Sequence, residues 1–147
     1  MLVHASTVDI SGCGVLILGS SGTGKSDLAL RLIVDGALLV ADDQTLVETA
    51  DGFLRASAPG IIAGLIEARG VGLTRAPLKA ATRLKLAVQL VSLAPERMPE
   101  PRTWSLPGSI SPSVPLVALL PFETSAPAKL RLALAGCAQC VTVKPLA

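Results

Sequence analysis

Tyrosine is absent from this chain, and Phe53, Trp104 and Phe122 are its only aromatic residues. That scarcity excludes a single-strand nucleic-acid groove, which needs stacked aromatics beside clustered cations. Basic residues are scattered and nearly balanced by acids, 13 against 11, for a net charge of +2. No nucleic-acid partner is therefore expected. Histidine occurs once, as His4, and cysteine three times. A zinc site needs four donors close together, and these residues lie far apart in sequence. Cys137-Ala138-Gln139-Cys140 has the spacing of a redox pair but lacks the strand-to-helix setting of one, and reads as incidental. No apolar run approaches the length needed to span a bilayer, so no membrane association is expected. Met1-Leu2-Val3-His4 lacks the basic start and apolar core of a signal peptide, which points to a cytoplasmic protein.

Aliphatic residues are plentiful, and half the chain is hydrophobic. A length of 147 residues fits one domain, 1–147, large enough to bury a core without staples. Residues 3–10 and 13–18 read as strands joined by a Ser11-Gly12 turn. A helix is expected from about Gly24 to Asp35, ended by Gly36. Ala37 to Ala41 is a continuous apolar run, suited to a buried strand. Strands over 45–48 and 53–56 flank a turn at Ala50-Asp51-Gly52. A short helix is expected over 61–68, a glycine-rich strand or loop over 69–73, and a strand over 84–93. Residues 94–115 are proline-rich and read as a long loop. A strand over 114–120 and a helix over 126–135 complete the pattern.

Gly19-Ser20-Ser21-Gly22-Thr23-Gly24-Lys25-Ser26 carries the chemistry. It fits the phosphate-binding pattern of glycine, four residues, glycine, lysine, serine or threonine, between a strand and a helix. The glycines let backbone N–H groups turn toward phosphate oxygens, and the helix dipole favours the same anion. All eight residues are candidate nucleotide contacts. Lys25 can reach the β- and γ-phosphates, and the Ser26 hydroxyl can ligate Mg²⁺. Asp42-Asp43 closes the apolar run before it, which delivers acids beside such a metal.

Several stretches taken together resemble one family. They are His4, Val8-Asp9-Ile10, Gly12-x-Gly14-Val15-Leu16, the loop at 19–26, Ala29-Leu30, Gly36, Leu39-Val40-Ala41-Asp42-Asp43 and Ile66-Glu67-Ala68-Arg69-Gly70-Val71-Gly72. This set is similar to the catalytic domain of bacterial HPr kinase/phosphorylase, densely over residues 4–73 and thinly afterwards. The chain looks like that domain without the usual N-terminal domain, as in short versions from some proteobacteria. The resemblance implies an α/β fold with a P-loop core of the HPr kinase and phosphoenolpyruvate carboxykinase type: a mixed sheet with flanking helices, assembled as a hexamer. It also implies an enzyme that uses ATP and Mg²⁺ to phosphorylate a serine of HPr, a phosphocarrier of the sugar phosphotransferase system, and so regulates carbon metabolism. Many members reverse the reaction with inorganic phosphate. Carried over, Lys25 binds phosphate and Ser26 and Glu67 hold Mg²⁺. Asp43 takes the serine proton, and His4 assists it. An essential arginine is expected after the 84–93 strand, at Arg97 in preference to Arg102.

The physics agrees with those roles. A serine hydroxyl is a weak nucleophile, and a placed carboxylate accepts its proton as attack proceeds. Adjacent acids on a strand face opposite ways, so Asp42 is expected to meet a metal-bound water or a structural partner, with Asp43 partly desolvated beside it. The family's basic loop, linked to the reverse reaction, has no counterpart in Leu120-Pro121-Phe122-Glu123-Thr124-Ser125-Ala126-Pro127. A kinase with weak or absent phosphorylase activity is therefore expected. The other classes are a small-molecule kinase, which usually carries arginine-rich lids, and a nucleotide-binding regulator without turnover, which needs neither Asp43 nor Glu67.

Overall fold

The computed structural model describes residues 1–60 and 64–137. Among these, the order is β1 (Leu2–Ile10), β2 (Cys13–Leu18), α1 (Lys25–Val34), β3 (Leu38–Ala41), β4 (Gln44–Ala50), β5 (Phe53–Ser57), β6 (Leu65–Ala68), β7 (Gly72–Arg75), β8 (Ala81–Leu90), β9 (Arg102–Trp104), β10 (Val114–Leu119) and α2 (Ala126–Gly136). The architecture is mixed α/β. β1 and β2 form a hairpin from Ala5 opposite Leu18 to Ile10 opposite Cys13. Its turn, Ser11-Gly12, has φ of 52° and 90°, the two left-handed residues that match hairpin twist. Asp51-Gly52, at 47° and 82°, closes the β4–β5 hairpin in the same way.

Two long strands serve two sheets at once. Residues 2–4 of β1 pair with β4, while residues 7–9 pair with β3. Residues 81–83 of β8 pair with β5, while residues 84–90 run parallel to β2 and β10. The circuit β2–β1–β4–β5–β8 closes through the β2–β8 pairing. Alternate residues of β2 then face different cores. Leu16 and Leu18 join Val47, Leu54 and Leu84. Val15 and Ile17 join Leu28 and Leu32 of α1 and Leu130 and Leu134 of α2. Both helices thus cover the same face. Each fully buried leucine contributes roughly 1.5–3 kcal/mol.

Strand direction positions the site. β3 and β2 are each antiparallel to β1, and β8 is parallel to both β2 and β10. The carboxyl ends of β3, β2, β8 and β10 therefore lie along one edge, in the lateral order β3, β1, β2, β8, β10. α1 leaves that edge from the glycine loop. Its buried residues Lys25, Leu28, Ala29 and Leu32 recur at helical spacing. Gly36, at φ 105°, ends it; Gly36 N–H donates to Ile33 O and Ala37 N–H to Leu32 O. This is the left-handed helix end expected from the sequence.

Two expectations need correction. The helix over 61–68 is not formed where the chain is described: residues 65–68 are β6, paired with β7 from Leu65 opposite Arg75 to Ala68 opposite Gly72. Burial there alternates, with Ile66 and Ala68 in and Glu67 out. That is the two-residue period of a strand, not the helical one; residues 61–63 lie outside the described residues. The stretch 94–115 is not wholly a loop either, because β9 pairs with β10 at the sheet edge. Cys140 of the tail pair lies outside the described residues; the Cys137 thiol donates to Ala133 O. Among the described residues, no helix is long and apolar enough to cross a membrane.

Asp9 is a buried acid in β1, 3% exposed. Its carboxylate accepts hydrogen bonds from Gly12 N–H at 2.9 Å, Thr82 Oγ1 at 2.6 Å and Lys79 Nζ at 2.9 Å. Burial alone pushes its pKa up; those three bonds and the Lys79 charge outweigh burial and hold it below the ordinary 3.8. A depressed folded value stabilises the native state above the unfolded pKa and is lost as pH falls through the folded one. Asp9→Asn is therefore expected to cost about 2 kcal/mol at neutral pH, with the gap to wild type narrowing below pH 3.8. Urea unfolding across that range measures it; a gap independent of pH would show that the Asp9 charge is not what matters.

Candidate active site

The glycine loop leaves β2 and wraps over the first turn of α1. Lys25 is only 4% exposed. Its ammonium donates to Gly19 O at 2.7 Å and Ser20 O at 2.9 Å, and lies 3.4 Å from an Asp43 carboxylate oxygen. Thr23 Oγ1 donates to Ser20 O at 2.6 Å. Gly24 caps the helix at φ 103°, and a Cβ there would lie 2.9 Å from the Phe122 ring. Both the backbone angle and the space require glycine. Asp27, in the first turn, pairs with Arg31 at 3.0 Å.

The acids come from the end of β3. Asp42 accepts from Ser6 Oγ at 2.8 Å, Ser26 Oγ at 2.7 Å and Glu67 N–H at 3.1 Å. It thus meets structural partners, as expected, and one of them is the hydroxyl proposed for the metal. Asp43 departs from expectation. The strand has ended at Ala41, and Asp43 sits at φ 65°, with its N–H donating to Ser6 Oγ at 3.0 Å. This left-handed residue breaks strand alternation, so Asp43 lines the cleft while Asp42 meets the cleft residue Ser26 from behind the same turn. Nor is Asp43 buried; its side chain is 54% exposed.

One cleft of about 300 Å³ gathers Ser21, Gly22, Gly24, Lys25, Ser26, Asp27, Leu30, Asp43, Glu67, Ala68, Arg69 and Phe122. Glu67 reaches it from the β6–β7 hairpin and Arg69 from the turn that follows. His4 is exposed in β1, opposite Gln44, the neighbour of Asp43 in sequence; it is not among the lining residues. Arg97 and Arg102 line a separate groove over β10 and α2, while Arg69 supplies the guanidinium of the cleft. Glu123, in the segment where a basic loop was looked for, pairs with Lys129 at 3.1 Å. The sequence reading missed Ser6, which pins both acids. Its signal was its place two residues from His4, on the same face of β1.

A hydroxyl, Ser26, beside the carboxylate of Asp42, with Glu67 at the rim, is an oxygen donor set of the hard-cation type. Among the described residues no three His, Cys, Asp or Glu side chains converge as a cage. Magnesium sites of kinases need none, because substrate phosphates and water complete the shell.

Comparison with known proteins decides the family. The family model described as HPr Serine kinase C-terminal domain matches residues 1–100. The chain belongs to that family. HPr kinase/phosphorylase of Clostridium novyi is 47% identical over 75 residues, which is 51% of this chain and 24% of that protein. The protein of the same description from Brevibacillus brevis is 41% identical over 106 residues, 67% of this chain and 34% of that one. The chain thus spans about a quarter to a third of the length of these curated relatives. The structure of the HPr(Ser) kinase/phosphatase from Coxiella burnetii superposes with a TM-score of 0.76 at 28% identity, covering 92% of this chain and 95% of that one. Within the HPr serine kinase C-terminal family match fall the glycine loop, both acids and the β6–β7 hairpin. Phe122 and α2 lie beyond it.

Proposed function

We propose that this chain is a single catalytic domain with a P-loop core, related to phosphoenolpyruvate carboxykinase, that uses ATP and Mg²⁺ to phosphorylate a serine of HPr in the cytoplasm. One observation carries the reading: Lys25, Ser26, Asp43 and Glu67 line one cleft although they come from three separate segments, and Asp42 accepts from Ser26 Oγ and from the Glu67 N–H. A non-catalytic regulator needs the loop but has no use for Asp43 held against Lys25. The family membership and the Coxiella burnetii likeness support the substrate.

In the proposed reaction the loop N–H groups and Lys25 hold the β- and γ-phosphates. Lys25 exchanges the carbonyls of Gly19 and Ser20 for phosphate oxygens. Asp43, released from Lys25, accepts the proton of the incoming serine hydroxyl, which attacks the γ-phosphorus as the β–γ bridging bond breaks. Ser26, Asp42 and Glu67 would hold Mg²⁺, which when bound offsets charge on the transferring phosphoryl group. Arg69 adds a second cation at the rim. His4 acts on Asp43 from β1, and Arg97 or Arg102 acts only by way of the neighbouring groove. A homo-oligomer, hexameric as the resemblance implies, belongs to the same proposal and is measured by light scattering. Regulation of the phosphotransferase system follows from HPr as substrate.

Mass spectrometry of HPr after incubation with this protein and MgATP tests the reading; HPr left without phosphoserine under conditions where ATP binds would sink it. Glu67→Gln is expected to raise the Mg²⁺ concentration for half-maximal activity several-fold, read from a Mg²⁺ titration. An unchanged titration would remove Glu67 from the metal site.

A further inference from the structure

We propose that Phe122 is the platform on which the base of the bound nucleotide stacks. The inference rests on the reading of the cleft as a nucleotide site, and it concerns the part of the cleft to which no role has yet been given.

Sheet order carries it. The acids lie at the carboxyl end of β3, two strands to one side of β2, with β1 between. Phe122 follows β10, two strands to the other side, with β8 between. Neighbouring strands are about 4.8 Å apart, so each flank stands roughly 10 Å from the strand that carries the glycine loop. The reacting γ-phosphate must meet Asp43 and Glu67. The triphosphate chain crosses the loop, and the base then falls on the β10 flank. What waits there is the aromatic ring of Phe122, which lines the cleft.

Phe122 is built into place without being buried. It is 69% exposed. Its ring nevertheless touches the backbone of Gly24, where a Cβ would come within 2.9 Å. The carbonyls on either side, Pro121 O and Glu123 O, both accept from the guanidinium of Arg31. Arg31 is itself held by Asp27, a residue of the same cleft. A fork from α1 therefore fixes the backbone around Phe122 while leaving a ring face to solvent. The other two aromatics are used elsewhere: Phe53 stacks under Arg83 at 4.7 Å, and Trp104 packs on the core within the strand circuit. Phe122 alone among the described aromatics lines the cleft.

Stacking acts on the base and not on the phosphates, which sets the experiment. Calorimetric titration compares ATP with inorganic tripolyphosphate, both with Mg²⁺. Phe122→Ala is expected to weaken ATP binding by ~10- to 100-fold, the range for loss of one base–aromatic stack, and to leave tripolyphosphate binding within about twofold. Phe122→Trp should keep ATP affinity. Phe122→Leu, which still covers Gly24 but has no π face, should behave like the alanine variant. Full ATP affinity in the leucine variant would mean that the ring only packs on the loop, and equal losses for ATP and tripolyphosphate would mean that it shapes the phosphate site. Either result overturns the proposal while leaving the nucleotide reading in place. If the wild-type protein binds neither ligand, the nucleotide reading itself falls, and the stacking role with it.

Discussion

Lys25→Ala is expected to lower phosphoryl transfer to HPr by ~10³-fold, the upper end of what loss of one preorganised charge-stabilising donor costs. The ammonium is nearly sealed from solvent and already sits at the mouth of the loop, with two carbonyls and Asp43 as its partners. It needs only to trade partners, so little reorganisation stands between the free and the loaded states. The same substitution should weaken ATP and tripolyphosphate binding together, because the lysine acts on phosphate. The fold should survive. Ser20 is exposed and Gly19 half-buried, so water replaces the lost donor, and α1 keeps Leu28 and Leu32 in the core. Transfer rates read beside circular dichroism check both halves. Turnover near wild type would remove the glycine loop from the mechanism.

Asp43→Asn is expected to cost ~10²–10⁴ in the forward rate, the scale of general-base catalysis. The substitution is a clean one because of the backbone. Asp43 sits at φ 65°, and asparagine tolerates the left-handed region better than most residues. The turn, and with it the grip of Asp42 on Ser26, should persist. Loss of the negative charge also frees Lys25 from a competing partner, so the KM for ATP should stay level or fall while kcat drops. A raised KM at unchanged kcat would instead make Asp43 a binding residue. Phosphate-dependent dephosphorylation of serine-phosphorylated HPr, run on the wild-type protein in parallel, is expected to be slow. Reversal brings two anions together, and the segment after β10 offers them Glu123, already neutralised by Lys129, and no free cation among its own residues.

The strand, glycine loop and helix were legible because three independent signals coincide there: apolar period, glycine spacing and a helix end at Gly36. Both two-residue hairpin turns were readable for the same reason, since glycine follows Ser11 and Asp51 where left-handed angles are needed. The β6 segment was not. Leu65-Ile66-Glu67-Ala68 is too short for either period to show, and only its pairing with residues 72–75 decides the matter. Prolines at 99 and 101 hid β9. At the site, spacing delivered Lys25, Ser26, Asp43 and Glu67 to one cleft but misjudged how Asp43 gets there. A single left-handed angle turns it, and no residue pattern announces an aspartate in that conformation. Arg97 was placed by distance along the chain, which does not say that the groove it follows is a different one. Phe122 carried no motif; its place depends on where β10 stops and on the grip of Arg31.

The closed strand circuit has a consequence for how the molecule comes into being. β2, which presents the glycine loop, has β1 on one flank as soon as residues 5–18 are made, but its other flank waits for residues 84–89. Until β8 is made, β2 has an open edge, and Leu16 and Leu18 lack the far wall formed by Leu84 and Ala87. Closing the circuit joins segments some seventy positions apart, a long-range contact whose entropy must be met before any return. A nascent chain ended short of β8 is therefore a sticky, edge-exposed intermediate. Completing the cleft at the glycine loop and completing the fold are, for this protein, a single late event.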